Sequence, residues 1–290
     1  MKKETMILHS QIANNMMYHI YEYLDSDINI DEMALEFGIN KFHFHKLFKE
    51  QIGTNIYETI KSIRLQKASN LLISNNLSTV TKVAQICGYS SVPSFIRAFK
   101  ERFKQTPNVW RKGGYKEYTS TILSNSQSSF LIKDYSYLSP KIVRTDSKTV
   151  YYIRNKYNHN TTQLWQKLIT WVYSNDIQEY EQMGIYHDNP IITAHEDCYY
   201  VAAIAPKDNQ NLGDSNLPSF KTPPDVCACF EVEGEHGDIL KLIQWVYHKW
   251  LPNSGFETTT NPSYTILEKN PFLEEDGLCK VKYYVPIRYL

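Results

Sequence analysis

A unit of about 50 residues occurs twice near the start of the chain. Ala34 and Gly38 recur as Ala84 and Gly88, and Phe44, Phe48, Lys49 and Glu50 recur as Phe95, Phe99, Lys100 and Glu101 after a one-residue slip. A duplication constrains the fold more than any single propensity, because both copies must satisfy one supersecondary pattern. Each copy reads as a short helix, a glycine turn and a second helix. In the first, Asn29 is placed to cap a helix with Glu32 completing a capping box, and Gly38 supplies the positive φ that ends it. Asn40 caps the next helix, where Phe44, Leu47, Phe48 and Ile52 recur at helical spacing opposite a polar face of Lys41, His43, His45, Lys46 and Lys49. In the second copy Val80, Val83, Ala84 and Cys87 precede Gly88, and Phe95, Ile96, Phe99 and Phe103 line the following helix. Its polar face offers Ser91, Ser94, Arg97, Lys100 and Arg102. The spacing predicts two helix-turn-helix units in tandem, with a leading helix over 11–24 and a long helix over 54–73 between the units.

The net charge of zero, 31 basic against 31 acidic residues, conceals an asymmetry. Residues 1–118 hold 16 Lys and Arg against 11 Asp and Glu, whereas the remainder holds 15 against 20. A basic module joined to an acidic one points the first toward a polyanion and the second, rich in Tyr, toward something else, a cation included. A short helix with a basic, amide-rich face fits the major groove. The alternative is a helical bundle whose basic face contacts only water.

The run Val83, Ala84, Cys87, Gly88, Tyr89, Ser90 and Ser91, then Ser94, Phe95, Arg97, Ala98, Phe99 and Lys100, then Phe103, Thr106, Pro107, Trp110 and Arg111, resembles the signature of the AraC/XylS transcription regulators. The resemblance covers residues 10–113 and implies that both units enter successive major grooves of one duplex. Asn55 and Ile56 stand where many members have Ser-Pro, a variation that resembles the Rob-like branch. Carried over residue by residue, the family's base-reading positions fall on Phe42, His45 and Lys46 in the first unit and on Val92, Pro93 and Arg97 in the second. Arg97 is the strongest of these, since a guanidinium pairs bidentately with guanine. Val92 and Pro93 donate no side-chain hydrogen bond, so their unit reads thymine methyls or shape. Lys41, Lys49, Lys100, Lys104, Arg111 and Lys112 are placed to touch phosphate.

Residues 118–131, rich in Ser, Thr, Asn and Gln, read as a linker that becomes the first strand of the next domain. Beyond it, Lys167 to Tyr173 recurs 74 residues later as Lys241 to Tyr247. Each of these helices is preceded by a strand-like run, 149–154 and 226–232. Each is followed by two more, 183–186 with 198–205 and 264–267 with 279–287. The expected organisation is therefore multidomain: an all-α tandem helix-turn-helix domain at 1–115, a linker at 116–130, and an α+β domain of duplicated βαββ units at 131–290 with a groove where the halves meet. With Gly184, Ile185, Tyr186, Asp188 and Pro190 and the terminal Tyr283, Tyr284, Val285, Pro286 and Ile287, this part resembles the GyrI-like effector-binding domain. That resemblance implies a lipophilic, often cationic, molecule between aromatic faces, with a Glu balancing its charge. The position matching that Glu is Thr265, and Glu268 lies three residues on, on the other strand face unless the chain bends. Candidate ligand-binding residues are Tyr137, Tyr151, Tyr152, Trp171, Tyr186, Tyr264, Thr265, Glu268 and Tyr283. Trp165 and Trp245 read as helix-to-sheet packing.

No glycine-rich phosphate loop, nucleophile elbow or metal-ligand cluster stands out, so no catalytic residue, metal or cofactor is expected. A hydrolase activity, known among GyrI-like proteins, needs an acid in the groove, and Thr265 stands in its place. His187 with Asp188, and His195 with Glu196 and Asp197, read as solvated polar loops. The five Cys form no disulfide framework and read as buried, reduced thiols. No run is long and apolar enough to span a membrane and no signal peptide opens the chain, so a cytoplasmic protein is expected. The partners expected are double-stranded promoter DNA, a hydrophobic or cationic aromatic small molecule, and RNA polymerase, with no membrane contact and a monomeric or homodimeric state. The alternative for the C-terminal domain is a protein-contact or dimerisation module.

Overall fold

The computed structural model describes residues 3–124, 134–156, 161–207, 212, 215–235 and 237–290. The first part is helical: α1 (Lys3–Glu22), α2 (Ile30–Glu36), α3 (Lys41–Ile52), α4 (Ile56–Ser74), α5 (Val80–Ile86), α6 (Val92–Phe103), the short α7 (Pro107–Val109) and α8 (Tyr115–Ser124). The caps read from sequence form. Asn29 Oδ1 accepts from the amides of Asp31 and Glu32, and Asn40 Oδ1 accepts from that of His43 at 2.8 Å. Gly38 and Gly88 end α2 and α5 with φ of 65° and 72°, a conformation any other residue adopts at a cost. Thr79 and Ser91 cap α5 and α6 as Asn29 and Asn40 cap their counterparts.

The stretch 116–124 departs from the linker reading. Tyr115, Thr119 and Leu123 are buried at intervals of four, which makes it the last part of helix α8. Tyr118 meets Trp110 at 5.4 Å and Phe103 at 5.5 Å edge to face, extending an aromatic ladder that runs through Phe95 and Phe99. The remainder of the expected linker, 125–130, lies outside the described residues.

The second part is one antiparallel sheet carrying α9 (Thr161–Ser174) and α10 (Asp238–Trp245). Its strands are β1 (Lys141–Thr145), β2 (Thr149–Lys156), β3 (Tyr180–Tyr186), β4 (Tyr199–Pro206), β5 (Ser219–Lys221), β6 (Asp225–Glu235), β7 (Phe256–Thr258), β8 (Ser263–Lys269) and β9 (Leu278–Tyr289). The order is β1-β6-β9-β8-β3-β4-β2-β5, with β7 on β9. The duplicated unit is visible as β2-α9-β3-β4 and β6-α10-β8-β9. The halves meet where β3 pairs β8, with Gly184 opposite Thr265. The three short strands β1, β5 and β7 extend the two repeats. Trp165 is fully buried under α9, and Trp245 lies 6.3 Å from Phe230 of β6, both as helix-to-sheet packing. All five Cys are free and buried. Among the described residues no helix is long and apolar enough to cross a membrane.

The cores do not follow the division into two domains. Met16, Ile20, Phe44, Phe48, Ile56 and Ile63 form a core private to the first helix-turn-helix unit. A second, continuous core runs from Leu65, Leu71 and Leu72 of α4 through Phe95, Phe99, Phe103 and Trp110 to Trp165, Phe230 and Tyr283 beneath the sheet helices. Helix α4 therefore belongs to both. Its first half is amphipathic, and from Leu65 to Ser74 it is buried on nearly every side, packed on β7 and on the turn after α10.

Candidate nucleic-acid interface and ligand groove

Helices α3 and α6 hold the residues expected to meet DNA. Their apolar sides are anchored by Phe44, Leu47 and Phe48, and by Phe95, Phe99 and Phe103, which leaves the opposite sides to solvent. Lys41, Phe42, His43, Lys46 and Lys49 are exposed on α3, and Phe42 is 80% exposed, a large apolar ring with no packing to explain it. Pro93, Arg97 and Lys100 are exposed on α6, with Val92 half-buried at its start. His45 is half-buried and lies 5.5 Å from the Tyr57 ring, so it is less available than its neighbours. Lys41 is held by Asp31 at 2.8 Å, and that carboxylate raises its pKa. Arg102 departs from the polar face assigned to it. It turns inward, donating to the carbonyl and hydroxyl of Ser62 at 2.9 and 2.8 Å and to Thr193 at 3.2 Å.

In the C-terminal domain, pleating separates the expected ligand residues into two sets, because residues directly opposite in a register share a face. Tyr151, Tyr186, Thr265 and Tyr283 lie on the face covered by α9 and α10, joined by Trp171, whose ring stands 5.1 Å from Tyr151. Tyr200, Tyr247 and Phe272 complete this wall. Tyr186 lies 5.7 Å from Tyr200 and 6.5 Å from Tyr283, and Tyr200 lies 6.3 Å from Phe272. Burial pushes the hydroxyls of Tyr186 and Tyr247 up to about 12, so both are neutral hydrogen-bond groups. The centre is narrow. Thr265 is fully buried and donates to the Gly184 carbonyl at 3.3 Å, and a Cβ on Gly184 would meet the Tyr200 hydroxyl at 2.5 Å. The indole N–H groups of Trp165 and Trp171 are buried without a protein partner.

Tyr152, Tyr264 and Glu268 lie on the opposite face, and Tyr137 is an exposed residue ahead of β1. Tyr264 stacks on Tyr284 at 4.8 Å. Glu268 pairs with Lys282 at 2.5 Å and Lys280 at 3.4 Å, and these lysines hold its carboxyl below the usual range. It is thus a neutralised surface acid with no access to the groove. The strand does not bend enough to bring it across, and among the described residues no acid takes the place of Thr265 in this wall.

The solvated-loop reading of His187 and Asp188 does not hold, because the helical domain closes over them. The Tyr21 hydroxyl lies 2.5 Å from His187 Nδ1, with the two rings parallel. Burial, together with the nearby Arg154 charge, pushes the imidazole pKa down to about 3, so the ring is neutral, and its Nε2 is buried without a partner. Asp188 accepts from the Gln66 side-chain amide at 3.2 Å and the Tyr199 backbone amide at 3.1 Å, and burial raises its pKa. Arg154 reaches Asn14 at 3.1 Å while Asn14 also bonds the Tyr152 hydroxyl. These bonds, together with the Tyr18 ring 5.8 Å from that of Phe220 on β5, join the first helix-turn-helix unit to the sheet domain. The only sequence sign of this seam was Asp188 within the GyrI-like phrase, since contacts between residues more than a hundred positions apart leave no local periodicity.

Comparison with known proteins agrees with both halves. The GyrI-like small molecule binding domain family matches residues 138–288, and a helix-turn-helix domain family matches 33–113. The xylose operon regulatory protein of Escherichia coli (strain K12) is 35% identical over 95 residues, 33% of this chain and 24% of that protein. The transcriptional regulator Rob of Salmonella typhimurium is 28% identical over 101 residues, 35% of each chain. The chain thus spans about a quarter to a third of the length of these regulators. The crystal structure of the EcmrR C-terminal domain superposes with a TM-score of 0.41 at 15% identity, covering 53% of this chain and 99% of that one.

Proposed function

Since the chain belongs to the GyrI-like small-molecule-binding family and carries an AraC-type helix-turn-helix region ahead of that domain, we propose that it is a one-component transcription regulator. The observation that carries this reading is the pair of recognition helices, α3 and α6, each anchored by a phenylalanine row and presenting a basic solvent face. Phe42, His45, Lys46, Val92, Pro93 and Arg97 read bases, while Lys41, Lys49 and Lys100 set the register on phosphate. The effector is a lipophilic aromatic molecule held on the helix-covered face by Tyr151, Trp171, Tyr186 and Tyr283 around Thr265. Ring stacking rather than a counter-ion carries its binding, because no carboxylate among the described residues belongs to that wall. RNA polymerase is the partner through which promoter occupancy is read, and the relatives' regulatory roles support a non-enzymatic protein.

The test is a tryptophan-quenching titration of the full chain with size-matched neutral and cationic aromatics, repeated with Tyr186→Ala, alongside promoter selection from a random DNA pool. Saturable quenching weakened at least about tenfold by Tyr186→Ala, together with an enriched DNA sequence, is the expected result. No saturable quenching across the panel overturns the effector assignment in favour of a protein-contact role, and no enriched sequence overturns the DNA reading.

A further inference from the structure

A further open space lies away from the tyrosine groove. A cavity of about 460 Å³ sits where α1, α4, α6 and α8 meet the β3–β4 loop and the end of β2. That volume is within the usual range for small-molecule sites. Its walls are divided by chemistry. Met17, Ile52, Ile63, Ile122 and Ile192 supply an apolar side, and Arg102, Arg154 and His187 supply a polar one.

The charge balance inside is uneven. Among the described residues Arg102 donates to Ser62 and Thr193, and Arg154 to Asn14 and the Gln51 carbonyl at 3.4 Å, so both guanidinium groups meet neutral oxygens. Among the described residues neither takes part in an ion pair. The acids on the walls do not offset them fully. Glu58 and Asp197 are exposed, Glu101 is exposed and paired with Lys61 at 3.1 Å, and only Asp188 is set back from solvent, its oxygens engaged by Gln66 and Tyr199. His187 adds no charge. A phenol that donates from Tyr21 leaves the ring proton on Nε2, a buried donor with no protein acceptor.

We propose that this cavity is a second small-molecule site, one that takes a monocarboxylate with an aromatic or other apolar body. Two half-buried guanidinium groups with spare donors favour an anion, the single interior acid limits it to one negative charge, and the isoleucine wall favours an apolar remainder. The site is distinct from the tyrosine groove, because Arg154 stands on the opposite face of the sheet from Tyr186 and Tyr283. Its walls draw on both helix-turn-helix units and on the sheet domain, so an occupant touches every body that must be aligned for DNA binding.

Calorimetric titration of the full chain with 1-naphthoate and with its neutral isostere 1-naphthamide tests this. Naphthoate is expected to bind saturably at one site and the amide at least about tenfold more weakly, the difference expected from charge-assisted bonds. Arg154→Gln is expected to remove that preference. Ile122→Trp, which fills the cavity from α8 and leaves both arginines in place, is expected to abolish binding, while Tyr283→Ala in the groove leaves it unchanged. Equal binding of acid and amide, or loss of naphthoate binding in Tyr283→Ala with retention in Ile122→Trp, overturns the proposal. The groove's own effector binding is unaffected by either result, so the two sites fail separately.

Discussion

The seam between the helical and sheet domains should be acid-labile, and His187 sets how much. Its pKa near 3 in the folded chain, against an ordinary value of 6.5, means that the unfolded chain binds the proton first as pH falls. The stability tied to its neutral form is therefore complete above about pH 6.5 and declines as pH drops toward about 3. At pH 5 the unfolded histidine is about 1.5 pH units below its pKa while the folded one is still neutral, a loss of about 2 kcal/mol. His187→Gln keeps a polar acceptor for the Tyr21 hydroxyl and does not titrate. Urea denaturation followed by circular dichroism at pH 7.5 and pH 5.0 should show the unsubstituted chain losing about 2 kcal/mol more than the variant, because contributions from all other groups are common to both. His248, buried beside the Tyr115 ring at 4.7 Å and pushed down to about 4, gives an internal comparison, and His248→Gln should remove a loss of similar size. If the unsubstituted chain and His187→Gln lose the same stability within about 0.5 kcal/mol, the imidazole is not buried in neutral form and the seam is not closed as described.

Gly184→Ala places a methyl 2.5 Å from the Tyr200 hydroxyl and 2.8 Å from Thr265 Oγ1, so thermal unfolding should show a loss of about 1–3 kcal/mol. Phe42→Ala, at a ring 80% exposed, should leave stability within about 0.5 kcal/mol and yet weaken binding to the selected promoter, measured by fluorescence anisotropy. In the same assay Arg97→Ala should cost about 1–3 kcal/mol and relax preference at one base pair, whereas Lys100→Ala should weaken all sequences alike and lower the salt slope by about one. Glu268→Gln should leave effector affinity unchanged in the quenching titration, since that carboxylate is spent on Lys280 and Lys282 across the sheet from the groove.

Both duplications were legible because each copy repeats a local period: glycine-ended helices with phenylalanine rows in one case, alternating strands around a Lys-Leu-Ile helix in the other. Six of the strands fall where β-branched and aromatic runs put them. The face of each tyrosine was harder to read, because a single residue of register decides it, and Tyr152 and Tyr264 fell opposite Tyr151 and Thr265. Helix α8 was hidden by its Ser and Thr content, although Tyr115, Thr119 and Leu123 carry its buried stripe. Arg102, His187 and Asp188 read as surface polar residues, and Arg154 carried no reading of its own, because burial of a charged side chain depends on what packs over it, and that partner is more than thirty residues away in each case.

Helix α4 straddles two cores, and this gives the molecule an opening order. Leu65 onward is locked among the second unit and the sheet, while Ile56 to Ile63 serve the first unit, which is tied to the sheet domain by a seam of hydrogen bonds and the aromatic contact of Tyr18 with Phe220. Cooperative units follow buried contacts rather than domain borders. Amide hydrogens of α2 and α3 should accordingly exchange with solvent at a lower free energy than those of α5 and α6. Residues 65–124 should exchange together with the sheet as one foldon, with the boundary falling inside a continuous helix near residue 64.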